Sequence, residues 1–134
     1  MTIMRKTQID QLEGGSEFCA WFGGVPSFHD ATLRELELRQ GAPGRLVLHA
    51  FDMLPETDEK GYFLQTKHVV VTLTIHGLLA VALEDFMEAA IINRLQVEFD
   101  DDGTSLHFSS SYGVEGWIKA KRITVAFEPV KEKT

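Results

Sequence analysis

The run from Lys67 to His76 most constrains what this chain can become. Val69, Val71, Leu73 and Ile75 alternate with Val70, Thr72 and Thr74. A period of two puts the first set on one face of an extended strand and the second on the other. Residues 62–76 therefore form the clearest strand, which Gly77 ends. The same alternation recurs elsewhere. Leu36 and Leu38 stand among Glu35, Glu37 and Arg39, so residues 32–39 form a strand. Residues 45–53 form the next, after the turn Gly41-Ala42-Pro43-Gly44. Residues 54–61 read as a polar, acidic loop, 78–83 as a further strand and 95–99 as another. Leu106, Phe108 and Ser110 alternate with His107, Ser109 and Ser111. Residues 117–127 close the sheet, with Ile118 and then Ile123, Val125 and Phe127 turned inward. The change of parity between Ile118 and Ile123 predicts a bulge or bend near Lys121.

Two short helical segments complete this reading. Thr7–Glu13 forms at most a turn, stopped by Gly14-Gly15. Ser16 then reads as an N-cap, with Phe18, Trp21 and Phe22 on one apolar face and Gly23 as the C-terminal stop. Residues 84–91 read as a second short helix or turn. The expected fold is α+β: a mainly antiparallel, meander-like, strongly curved sheet of six to eight strands with a short N-terminal helix against it. No βαβ rhythm occurs, which argues against a parallel sheet and a nucleotide crevice. Without repeats or linkers, residues 1–134 are expected to make a single domain with an ordered core over about 8–128 and loose ends at 1–7 and 130–134.

Composition excludes several classes. The only cysteine, Cys19, cannot form an internal disulfide, and it sits among aromatics as a small buried residue. No apolar stretch follows Arg5 and Lys6, so no secretory signal is expected. No run approaches the roughly twenty apolar residues of a membrane helix. A cytoplasmic location is the expectation. The net charge is −7. Seven acids (Glu84, Asp85, Glu88, Glu98, Asp100, Asp101, Asp102) face one base, Arg94, between 84 and 102, and four acids (Asp52, Glu56, Asp58, Glu59) face Lys60 alone between 52 and 60. Such a surface repels nucleic-acid phosphates and attracts a basic partner, although acids also serve simply to keep a protein in solution.

No cluster announces a chemistry. His29 and Asp30 are adjacent, and on an extended chain they would point to opposite faces. Asp30 is expected to accept backbone N–H bonds in the turn after Pro26, with His29 packing beside it. His68 and His76 share a face but lie about 26 Å apart along a strand, too far for one ion. His49 and Asp52 have opposite parity. No spacing typical of a metal, nucleophile-elbow or phosphate-loop motif is present. Asp100-Asp101-Asp102-Gly103 is a hairpin turn rather than a calcium loop. The expectation is no metal, no cofactor and no catalytic residues. Tyr112 and Trp117, at the edges of a turn, would serve as interface anchors or cap the core.

The segment Trp21-Phe22-Gly23-Gly24-Val25-Pro26-Ser27-Phe28-His29-Asp30-Ala31-Thr32-Leu33 resembles the bacterial domain family known as immunity protein 50. Asp58–Phe63, Val69–Ile75 and Ser110–Gly116 add further echoes, over roughly residues 16 to 128. The resemblance implies a non-catalytic antidote that binds and neutralises a cognate toxin domain. Its shared residues, Trp21, Phe22, Pro26, Ser27, Phe28, His29 and Asp30, then act as fold determinants. A basic toxin would meet Asp52, Glu56, Asp58, Glu59, Glu84, Asp85, Glu88, Asp100, Asp101, Asp102, Tyr112 and Trp117. Two other readings remain open. One is a small-molecule- or metal-binding domain, enzymatic or not, with a cleft inside the curved sheet and His29 and Asp30 at its mouth. The other is a homo-oligomeric scaffold pairing through a strand edge.

Overall fold

A computed structural model of the chain describes residues 9–85 and 90–130. After a 3-10 turn at Ile9–Gln11 comes α1 (Gly15–Phe22). The strands are β1 (Ala31–Glu37), β2 (Gly44–Thr57), β3 (Phe63–Glu84), β4 (Ile91–Phe99), β5 (Thr104–Tyr112) and β6 (Glu115–Pro129). All pair antiparallel in the closed order β1-β2-β3-β6-β5-β4. The curved antiparallel sheet is as expected, but its order is no simple meander. β6 returns to pair with β3, from Val69–Pro129 to Glu84–Glu115. β4 closes the barrel on β1 through only Ala31–Ile92 and Thr32–Ile91.

Three boundaries differ from the sequence reading. Residues 54–57 continue β2, so the acidic "loop" is mostly a two-stranded arm, pinned at its tip by Asp58, whose Oδ1 accepts from the N–H groups of Lys60 and Tyr62 at 2.8 and 3.0 Å. Residues 78–83 are no separate strand. Gly77, at φ 70°, bends β3 without breaking it. The extra residue falls on β3, at Leu79, between the pairs Leu78–Ala120 and Ala80–Lys119. The matching parity change in β6 lies between Ala120 and Ile123, both buried. Of the proposed helix at 84–91, Glu84 ends β3, Ile91 begins β4, and residues 86–89 lie outside the described residues.

The alternation seen in β3 does place Val69, Val71, Leu73 and Ile75 inside, with Leu46, Leu48, Ile92, Leu106, Ile118 and Ile123. Each such burial contributes about 1.5–3 kcal/mol before chain entropy is subtracted. α1 lays Phe18 and Phe22 on this core, and the Phe18 ring meets Phe127 at 5.3 Å. Ser16 is not its N-cap. Gly14, at φ 85°, takes that place, because a side chain there would strike the Val125 carbonyl. Glu13 bridges to β6 at that point, where its carbonyl accepts from the Val125 N–H at 2.8 Å. Gly23, at φ 94°, ends the helix as expected, donating to the Cys19 carbonyl at 2.9 Å.

The last two carbonyls of the helix have an unforeseen partner. Lys67 of β3 donates its Nζ to the Trp21 and Phe22 carbonyls at 3.0 and 2.8 Å. A cation at a helix C-terminus satisfies orphan carbonyls and complements the dipole. Lys67 is therefore a clamp between helix and barrel, and its backbone sits at φ 53° to deliver it. Lys67→Met should cost about 1.5–3 kcal/mol in urea unfolding, the range for bonds to charged groups. Lys121→Met, at an exposed position on β6, should stay within about 0.5 kcal/mol of the parent.

Candidate functional site

The motif after α1 builds structure. Phe28 is buried, at φ 60°, a left-handed conformation that costs a bulky residue about 1–3 kcal/mol. The surroundings hold it there. Its carbonyl accepts from the Ala31 N–H at 3.1 Å, and the Asp30 N–H reaches the Ile92 carbonyl at 2.8 Å. Ser27, not Asp30, accepts the turn's N–H, from His29 at 3.2 Å. Pro26 is buried, Phe22 lies in the core, and Trp21 packs on Phe127 at 5.6 Å. His29 and Asp30 do not point apart. Asp30 is at φ 66°, so the chain is not extended, and Nδ1 meets Oδ2 at 3.2 Å. The pair is over one-third exposed, and no third titratable group joins it among the described residues.

One enclosed space inside the barrel, lined by described residues, offers no cleft with His29 and Asp30 at its mouth. The space bounded by Leu33, Leu36, Leu46, Leu48, Ile92, Leu95, Phe108 and Val114 is wholly apolar and too tight for a water molecule. Among the described residues no group of three or more His, Cys, Asp or Glu side chains converges as a metal site, and no helix is long and apolar enough to cross a membrane. Burial and nearby Asp10 push the Cys19 thiol above its usual pKa, away from the reactive thiolate.

The acids divide between the two ends of β3, which is 22 residues long, about 70 Å if measured along the strand. Asp52, Glu56, Asp58 and Glu59 belong to the arm at one end. At the other, the register brings separate segments onto one outer face. Glu84 stands opposite Glu115, Ala82 opposite Trp117, and Ala80 opposite Lys119. On the far side of β6, Trp117 stands opposite His107. Ile118, one residue on, faces the core and is fully buried, which sets Trp117 outward. Ala82, Glu84, Glu115, Gly116 and Trp117 line an open depression of about 220 Å³.

The charges here are unequally satisfied. Lys119 Nζ lies 2.8 Å from Asp100 and 3.6 Å from Asp102. That lysine, with the Asp102 and Gly103 N–H groups, holds the Asp100 carboxyl below its usual pKa, and Asp100 in turn raises Lys119. Asp100 thus also builds its turn, while Asp101 and Asp102 are exposed. His107 pairs with Glu98 at 3.1 Å. Glu84 and Glu115, directly opposed, have no cationic partner among the described residues. Like charges opposed across a ladder are destabilising. Asp85 is exposed beside them. Glu88 lies outside the described residues, as does the Tyr112 side chain.

A second cluster was missed when histidines were compared only along single strands. Across β1, β2 and β3, Arg34 Nη2 lies 3.5 Å from His49 Nδ1, and His49 Nε2 lies 3.2 Å from His68 Nδ1. The His68 ring also packs on Phe51 at 5.6 Å. Arginine can only donate, so His49 accepts at Nδ1 and donates from Nε2 to His68. Only the β2–β3 register, with His68 two residues from Val70, the residue directly opposite His49, reveals the pair.

No family model, curated protein or solved structure matches the chain.

The histidine pair has a pH consequence. Burial, Arg34 and His68, in that order, depress the His49 pKa from its ordinary 6.5. The folded state therefore binds fewer protons than the unfolded one as pH falls below about 6.5, and stability declines there. His49→Gln should flatten the decline in thermal midpoint between pH 7 and 5.5, without altering the carboxylate-driven loss at lower pH.

Proposed function

We propose that this chain is a non-catalytic binding protein that neutralises a basic protein domain, the role implied by the immunity-type resemblance of residues 16 to 128. One observation carries the reading. Glu84 and Glu115 face each other with no cationic partner among the described residues, beside the half-buried indole of Trp117. An aromatic face flanked by two carboxylates suits an arginine or lysine side chain, which gains cation–π and charge-assisted contacts together. A basic partner relieves the like-charge opposition that the free protein tolerates. Asp85 and Asp101, both exposed, add negative charge at the same end of β3, which speeds encounter with a cationic surface. The arm with Glu56 and Glu59 is a second acidic surface at the far end of β3. A toxin domain acting on nucleic acid would carry the required positive charge. On this reading the protein works in the cytoplasm, where such a domain does its damage.

The test is a titration against the C-terminal domain of the protein encoded directly upstream, made inactive. Expected is one-to-one binding that weakens as salt rises. Trp117→Ala should weaken it about thirtyfold, the scale of an interface anchor. Glu84→Gln/Glu115→Gln should weaken binding at least tenfold while stabilising the free chain by about 0.2–1 kcal/mol. No binding at micromolar concentrations, or variants that bind as tightly as the parent, would overturn the proposal.

A further inference from the structure

Within the closed order of the barrel, part of β3 is paired on one side only among the described residues. β2 begins at Gly44, opposite Ile75, whereas β3 runs on to Glu84. From Gly77 to Glu84, β3 therefore pairs with β6 on one side only, and no described residue bonds its other side. The sequence there is Gly77-Leu78-Leu79-Ala80-Val81-Ala82-Leu83, without a charge or a proline. Leu79 and Val81 are 44% and 41% exposed. Edges are ordinarily blunted by lysine, proline or a covering segment. The free edge of β6 is treated in that way, by Glu13 at Val125. The β3 edge is not.

We infer that this edge pairs antiparallel with the same edge of a second copy of the chain. The charge pattern selects the occupant. Glu84 and Asp85 stand at one end of the open stretch. At the other, the Lys121 side chain lies across Gly77, with its methylenes 3.0–3.2 Å from where a Cβ would sit, and Arg122 is opposite His76. Lys121 and Arg122 have no carboxylate partner among the described residues. A twofold axis through the middle of the edge overlaps Gly77 of each copy with Glu84 of the other. The acidic end then meets the cationic end twice, and the uncharged centres pair with each other. A parallel arrangement would oppose like charges. The interface is isologous, so it closes at two chains rather than growing into a filament. Glu84 is also part of the face proposed above, so a second copy and a basic partner draw on one carboxylate. The pairing itself does not depend on that reading.

Sedimentation velocity of the chain alone, from 1 to 100 μM at low salt, tests the inference without any partner. Expected is a concentration-dependent species of twice the 15.0 kDa chain mass. Leu79→Lys/Val81→Lys should weaken self-association at least tenfold. Lys121→Glu/Arg122→Glu should do the same from the charged end, and adding Glu84→Lys/Asp85→Lys should restore it. Circular dichroism and the thermal midpoint confirm that each variant is folded. A monomer throughout the range, or a dimer unaffected by the two edge lysines, overturns the inference. So does a dimer that the lysines disrupt but the paired charge reversal fails to restore.

Discussion

The ladder between β3 and β6 is the interaction on which the rest depends. It runs the length of β6 and along β3 from Val69 to Glu84, and joins the second hairpin to the last strand of the chain. Its contacts are distant in sequence, so their loop-closure entropy must be met by the apolar rows that meet across it. Val71 faces Phe127, Leu73 faces Val125, and Ile75 faces Ile123. These pairs lie on the core side and set the register. A slip of one residue would turn the row of the slipped strand outward. Register in turn determines every functional statement about the surface. Glu84 meets Glu115, and Ala82 meets Trp117, only because Ile75 meets Ile123 nine residues earlier, with the single extra residue at Leu79 between.

The helix shows how a second constraint builds on the first. With α1 laid against Phe127 and Val125, its C-terminal carbonyls need a partner, and Lys67 of β3 reaches them. Such a clamp joins residues 45 and 46 positions apart. The turn that follows must then carry the chain to β1, and it does so with left-handed Phe28 and Asp30. The segment from Trp21 to Asp30 therefore sets geometry. Phe22, Pro26 and Phe28 are buried and Trp21 is half-buried, while His29 and Asp30 satisfy one another at the surface.

What was legible in the sequence was what depends on period and local chemistry. The alternation of Val69 to Ile75 fixed an inward row, the parity change before Ile123 located a bend, and Gly23 and Asp100–Gly103 marked a helix end and a turn. What was illegible was pairing between distant segments. Nothing local says that Trp117 neighbours Ala82, or that His49 lies against His68. The Gly77 signal was misread for a related reason. A glycine that bends a strand and one that ends it look alike until the partner strand is known. Residues 54–57, with Pro55 and Glu56 and no apolar alternation, suggested a loop because solvent lies on both faces of a two-stranded arm, where no such alternation is required.

The division of the acids is the last consequence of a long β3. In sequence they form two runs and invite a reading as one continuous negative surface. The strand separates them to opposite ends, and the turn chemistry occupies some of them. Asp58 and Asp100 accept backbone N–H bonds, and Lys119 neutralises Asp100 and Asp102. Such acids are already occupied within the fold and have less to offer a partner. The opposed Glu84 and Glu115 differ, because neither closes a turn nor meets a described cation. Local rules and tertiary register disagree at that pair, and such disagreement concentrates where a protein gives up stability for function. The uncharged β3 edge beginning at Gly77 is a second departure of the same kind, on the same strand. Both arise because β3 outruns β2, so that one length of strand exposes a charged face and an open edge together.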